Sequence, residues 1–143
     1  MSLDLLVTPP PEHSVFPTHR CFDDALDFVT AVLQANPADV PELARSLKVV
    51  HGICLAPDGQ KYAHGWVEDD LKRQCIFRGI YQGEPQYFGV PKATYYAELQ
   101  VQERTRYSLR SAADHNRRHG TFGPWLPKYQ ALCAPRGDTR ETL

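Results

Sequence analysis

One segment near the N-terminus, residues 21–35, constrains the fold most strongly, because its apolar residues recur with the period of an α-helix. Four apolar residues share one face of this helix: Phe22, Leu26, Val29 and Leu33. Asp23 and Asp24 lie in the first turn, where the helix dipole favours negative charge, and Asn36-Pro37 ends the helix. A helix with one apolar face buries that face against another element, so the rest of the chain must supply a surface for it.

The segments after this helix are typical of β-strands. A shorter helix over residues 37–47 comes first. Strands are then predicted at residues 48–56, 62–69, 73–83, 86–90 and 98–107. The turn residues 57–59 make the first two strands a hairpin, and Ser108 and Gly120 bound a last helix. We therefore predict an α+β fold, with an N-terminal helix packed on an antiparallel sheet of about four or five strands and a closing C-terminal helix.

The length of 143 residues suits one domain. Four prolines among residues 1–18 predict an extended arm there. We expect residues 19–133 to form a single domain and residues 134–143 to form a polar tail. The first residues lack the basic region of a signal peptide, and no apolar run reaches the length of a membrane helix. We therefore expect a cytoplasmic protein, although an effector exported without a cleaved signal also fits.

The charge pattern argues against nucleic acid as a partner. The net charge is -1, whereas a protein that binds phosphates is usually basic. Residues 104–118 hold five arginines, and we interpret them as a solvated strand edge followed by the basic end of a helix. The four cysteines form no CxxC pair, which favours reduced thiols.

Two residues carry the chemistry that the sequence suggests, Cys21 and His64. Cys21 begins the first helix, where the positive end of the dipole lowers the pKa of a thiol. His64 lies within a predicted strand, and a thiol nucleophile needs an imidazole within reach. The alternative interpretation of each residue is structural: a small core cysteine and an ordinary strand histidine.

The sequence around these residues resembles the papain-like cysteine hydrolase superfamily, in particular its small bacterial and phage members. The matching segments are Cys21-Phe22 with Ala25, residues 64–67 (HGWV), 86–91 and 119–125, so the resemblance covers about residues 19–126. It implies that Cys21 is the nucleophile and His64 the base in acyl transfer through a thioester. The implied substrate is a peptide or an amide.

A third polar residue usually orients the histidine in this superfamily. A hairpin centred on residues 69–72 would place His64 opposite Phe77, where no such residue lies. The backbone N–H of Cys21 is the natural oxyanion donor. His19 is a second polar candidate, and Trp66, on the same strand face as His64, is a candidate for lining a substrate cleft.

A metal site is the competing chemical interpretation. His51 and Cys54 lie three residues apart on a strand, so their side chains point to opposite faces. Structural zinc sites use tighter ligand pairs. We therefore predict no metal and no cofactor.

Two functional hypotheses remain. The first is a cysteine hydrolase with Cys21 and His64 as its dyad. The second is a catalytically inactive module of the same fold that binds a protein partner. The sequence does not choose between them, and it does not predict an oligomeric state.

Overall fold

A mixed β-sheet forms the centre of the structure, a computed structural model that describes residues 6–7, 16–17 and 20–133. Its strands are β1 (Leu6–Val7), β2 (Phe16–Pro17), β3 (Leu47–Leu55), β4 (Lys61–Asp69), β5 (Gln74–Tyr81), β6 (Glu84–Pro91) and β7 (Glu103–Tyr107). Six of them lie in the order β1-β6-β5-β4-β3-β7, and β2 pairs with β5 outside this path. The α+β class is therefore confirmed.

The predicted sheet of about four or five antiparallel strands is not confirmed, because the described sheet has seven strands and one parallel pair. β1 runs parallel to β6, with Leu6 opposite Tyr87, and β2 adds a further antiparallel pairing. Both strands belong to the arm predicted at residues 1–18, and each is two residues long. A two-residue strand is too short to show a period, so the sequence cannot reveal it. The rest of the arm and the predicted tail at residues 134–143 lie outside the described residues.

Five α-helices and one turn of 3₁₀ helix accompany the described strands. They are α1 (Cys21–Ala35), the 3₁₀ turn (Pro37–Asp39), α2 (Val40–Ser46), α3 (Lys92–Leu99), α4 (Leu109–His119) and α5 (Pro127–Gln130). The predicted bounds of α1 and α4 are confirmed. Ser108 caps α4 by accepting from the Ser111 N–H at 3.1 Å, and Gly120 follows α4 in the left-handed conformation.

The strand predicted at residues 98–107 is wrong over its first half. Residues 98 and 99 end α3, and β7 begins only at Glu103. The alternation of Leu99 and Val101 resembles a strand, but both side chains pack against one buried cluster beside α3. The spacing of these two apolar residues therefore reflects their burial beside α3 and not the alternation of a strand.

The sheet is covered on two sides, and each side carries its own core. The first, which we call the α1 face, combines α1 with inward residues of the sheet such as Val49, Val67 and Ile76. The second, the α3 face, combines Tyr95 of α3 with Trp66 and other inward residues of the sheet. Successive residues of β4 therefore point to opposite cores.

β4 and β5 separate part-way along their length. They pair only over residues 67–69 and 74–76. Because β6 pairs with β5 along its whole length, β2 occupies the side of β5 that faces β4, at Gly79 and Ile80. The predicted register with His64 opposite Phe77 is wrong for this reason: the ladder shifts by two residues and ends before it reaches His64.

Candidate functional site

The start of α1 lies directly on β4 at Gly65. A Cβ atom on Gly65 would be 2.7 Å from Cδ1 of Phe22 and 3.4 Å from its Cα. Only a glycine leaves room for the helix to approach this closely. The approach brings Cys21 to the strand, where the backbone N–H of Gly65 favours the thiolate form of its side chain. Cys21 therefore sits beside the residue that follows His64.

His64 is held from the α3 face. Its Nε2 lies 2.8 Å from the hydroxyl oxygen of Tyr95 in α3. The imidazole also stacks on the Trp66 ring, with centroids 5.5 Å apart and planes 28° apart. Tyr95 thus holds the imidazole from α3, whereas a third polar residue was expected on the strand after His64.

Burial changes the pKa of both predicted catalytic groups. It raises the pKa of the Cys21 thiol to about 12, even though the Gly65 N–H favours the thiolate. It lowers the pKa of His64 to about 4. At neutral pH the site therefore holds a thiol and a neutral imidazole, not the ion pair that a helix dipole alone would favour.

The predicted site residues are brought together only in part. Cys21 meets β4 at Gly65, but no hydrogen bond joins its sulfur to His64 within residues 20–133. Trp66 is 1% exposed, so its indole belongs to the core beneath His64 and does not form an open wall. His19 lies outside the described residues.

The first amides of α1 have no acceptor within the helix. No described side chain caps this helix, and its first intrahelical bond is donated by the N–H of Asp24 to the carbonyl of Arg20 at 2.7 Å. The amides of residues 21–23 precede that bond, and such groups stabilise negative charge. The predicted oxyanion donor, the N–H of Cys21, is one of them.

A buried carboxylate marks a second polar centre on the α3 face. Glu68 is fully buried and accepts hydrogen bonds from Trp66 Nε1 at 2.9 Å, Arg106 Nε at 3.1 Å and the Tyr96 hydroxyl. Lys92 Nζ lies 3.3 Å from the same carboxylate. Buried carboxylates are rare unless paired, but an alternating strand sequence does not show that Glu68 points inward.

A buried histidine lies on the opposite face. His51 is fully buried, and its ring lies 4.8 Å from Phe22, 5.1 Å from Tyr107 and 4.8 Å from Trp125, measured between centroids. Neither ring nitrogen has a hydrogen-bond partner in the described part of the chain. Burial lowers the pKa of His51 to about 3. Cys54 belongs to the α3-face core, so the two residues do point apart.

The comparisons identify no relative for this chain: no family model, no curated protein and no solved structure matches it. The resemblance to papain-like hydrolases therefore stays a prediction. Across the described ranges, no three His, Cys, Asp or Glu side chains gather where they could hold a metal ion. None of the described helices is long and apolar enough to cross a membrane.

The contact between Gly65 and Phe22 can be tested by substitution. Gly65→Ala should lower the free energy of unfolding by about 1–3 kcal/mol, because the added methyl group has to displace the start of α1. Urea unfolding of Gly65→Ala, Phe22→Ala and the double variant measures the coupling. We expect the double variant to lose at least about 1 kcal/mol less than the sum of the single losses. Strict additivity would contradict the proposed contact.

Proposed function

We propose that the protein is a cysteine hydrolase in which Cys21 attacks an amide or peptide carbonyl and His64 serves as the base. The observation that supports this most directly is the close contact of the start of α1 with Gly65, which adjoins His64 in β4. Tyr95 supplies the third member by holding His64 Nε2 at 2.8 Å. A nucleophile, a base and a group that orients the base are the minimum for acyl transfer.

The protonation states fix how such a site would work. When Nε2 carries the ring proton and donates to Tyr95, Nδ1 keeps a lone pair and can accept the thiol proton. The sulfur then bonds to the carbonyl carbon, and the imidazolium returns the proton to the departing amine. Water hydrolyses the thioester with His64 again as base, which regenerates the thiol. The uncapped amides of α1 would stabilise the oxyanion.

The second candidate function is a non-catalytic binding module. The raised pKa of Cys21 favours it, because a thiol of pKa about 12 has almost no thiolate at neutral pH. The other tautomer of His64 favours it too: if Tyr95 donates to Nε2, the ring proton occupies Nδ1 and no base remains. Nitrogen-15 NMR of the His64 ring separates the candidates, since a proton on Nε2 fits the hydrolase and a proton on Nδ1 fits the binding module.

Acylation by p-nitrophenyl acetate tests the hydrolase directly. After an acid quench, mass spectrometry of peptides should find one acetyl group on Cys21. Cys54 and Cys75 are buried and should stay unmodified. His64→Gln should slow the acetylation by about 100-fold or more, because general-base catalysis contributes that much. Between pH 5 and pH 7 protonation of His64 should not limit the rate, because its pKa of about 4 leaves the imidazole neutral there.

Two controls make the result specific. Cys21→Ser should abolish the thioester without removing the helix start. Cys133 is a second partly exposed thiol and reports the reactivity of a cysteine outside the proposed dyad. Equal acetylation of Cys21 and Cys133, or a rate that His64→Gln leaves unchanged, would reject the hydrolase and favour the binding module.

A further inference from the structure

A cavity of about 570 Å³ opens on the α3 face, between the β4–β5 turn and the start of α3. Its lining residues are Asp70, Arg73, Pro91, Lys92, Ala93 and Tyr96. The proposed dyad does not include any of them. We propose that this cavity binds a small dianion through phosphate or carboxylate oxygens, with Arg73 and Lys92 as its main ligands.

The positively charged side chains around this cavity outnumber the carboxylates that can pair with them. Glu68 and Asp70 together engage Lys92, Arg106 and Lys48: Lys92 pairs with Glu68, Lys48 lies 3.6 Å from Asp70, and Arg106 contacts both acids. Asp70 also lines the cavity, but these partners already balance its charge. Among residues 20–133, Arg73 has no carboxylate within ion-pair distance, and neither has Arg104, whose guanidinium lies 5.4 Å from the centroid of the Tyr96 ring in the cavity wall.

The buried carboxylate of Glu68 keeps the cationic wall in place. Its side chain is 1% exposed and lies 3.3 Å from Lys92 Nζ, whose side chain is 33% exposed. An ammonium group has three N–H donors, so Lys92 can contact Glu68 and still donate to a ligand. Lys92 also lies over the Tyr96 ring, 5.5 Å from its centroid. A cation fixed by these contacts loses little conformational entropy when it binds a ligand.

Arg73 is placed at the mouth of the same cavity by the backbone. Its carbonyl accepts the N–H of Lys92 at 2.9 Å, which ties the turn to the first residue of α3. The residue has a φ of 52°, a left-handed conformation that is uncommon for a side chain other than glycine. A guanidinium beside a fixed ammonium matches the oxygens of a phosphate or a carboxylate.

Calorimetric titration with inorganic phosphate, and separately with succinate, tests this proposal at low ionic strength. We expect saturable binding of at least one of the two, whereas sodium chloride at equal ionic strength should give none. Arg73→Gln and Lys92→Gln should each weaken binding about tenfold or more, because each removes a charge-assisted hydrogen bond. Preference for phosphate identifies a phosphoryl ligand, and preference for succinate identifies a carboxylate ligand.

Lys61→Gln is the matched control, since Lys61 is an exposed lysine at the opposite end of β4. It should leave the affinity for both anions unchanged. Arg73 is exposed, so Arg73→Gln should keep the thermal unfolding midpoint of the wild type, which separates loss of binding from loss of folding. The proposal is overturned if neither anion binds saturably, or if Lys61→Gln weakens binding as much as Arg73→Gln.

Discussion

Below pH 6.5 the protein should lose stability steeply because His51 cannot take up a proton while it stays folded. In the unfolded chain His51 titrates near its ordinary pKa of 6.5, but in the folded protein its pKa is about 3. A histidine with a lowered folded pKa contributes its full stability above pH 6.5 and loses it as the pH falls toward 3. The slope is about 1.4 kcal/mol per pH unit, or about 3 kcal/mol between pH 6.5 and pH 4.

Urea unfolding of wild type and His51→Leu from pH 7 to pH 4 measures this contribution. Leucine does not titrate, so the dependence of the free energy of unfolding on pH should become shallower by about 1.4 kcal/mol per pH unit. His64 has a folded pKa of about 4 and keeps its own, similar share of the slope. The control Lys61→Gln, at an exposed position, should show the same slope as the wild type. An unchanged slope in His51→Leu would refute the prediction.

Glu68→Ala should be the most destabilising single change on the α3 face, at about 3–5 kcal/mol. It removes the acceptor for Trp66 Nε1 and for the Tyr96 hydroxyl, and it leaves Lys92 and Arg106 without their buried partner. A buried donor that loses its acceptor costs its full desolvation energy. The free energy of unfolding, from urea titration at pH 7, measures the loss.

Glu68→Gln separates the charge from the shape of this side chain. Glutamine keeps the volume and one acceptor oxygen, so the loss should fall to about 2 kcal/mol. The control Glu98→Ala lies on the exposed side of α3 and should change stability by less than about 0.5 kcal/mol. A loss below about 1 kcal/mol in Glu68→Ala would mean that the buried carboxylate does not stabilise the fold.

The sequence predicts the helices and strands whose apolar residues recur with a clear period. It does not predict the elements whose structure depends on pairing or packing with residues far away in the chain. The sequence predicts α1 from about residue 21 to about residue 35, and the structure agrees, because four apolar side chains mark one face and Asn36-Pro37 marks its end. α3 was missed because its exposed turns and its two inward tyrosines do not show a helical pattern. β1 and β2 depend on partners that are about 80 and about 60 residues away, and no local pattern contains that information.

The same limit explains what the sequence reveals about the candidate site. Local features, a helix start and a strand motif, predict Cys21 and His64, and the structure brings the helix start to Gly65 next to His64. The pKa directions were not predictable, because they depend on burial by elements far apart in the chain. The contacts of Tyr95 with His64 and of Tyr96 with Glu68 form only when α3 packs over β4, so the sequence alone does not predict them.

The close approach of α1 to Gly65 has a consequence for how the molecule folds. Cys21 begins a helix that precedes the sheet in the chain, whereas Tyr95 reaches His64 from a helix that follows β6. Each of these helices contacts β4 across a long stretch of intervening chain. Bringing such distant segments together costs conformational entropy that local contacts do not offset. The β3–β4 hairpin is local and can form early, with both helices docking on it afterwards. The acylation proposed for Cys21 should thus appear only in the last stage of refolding, when both faces of β4 are covered.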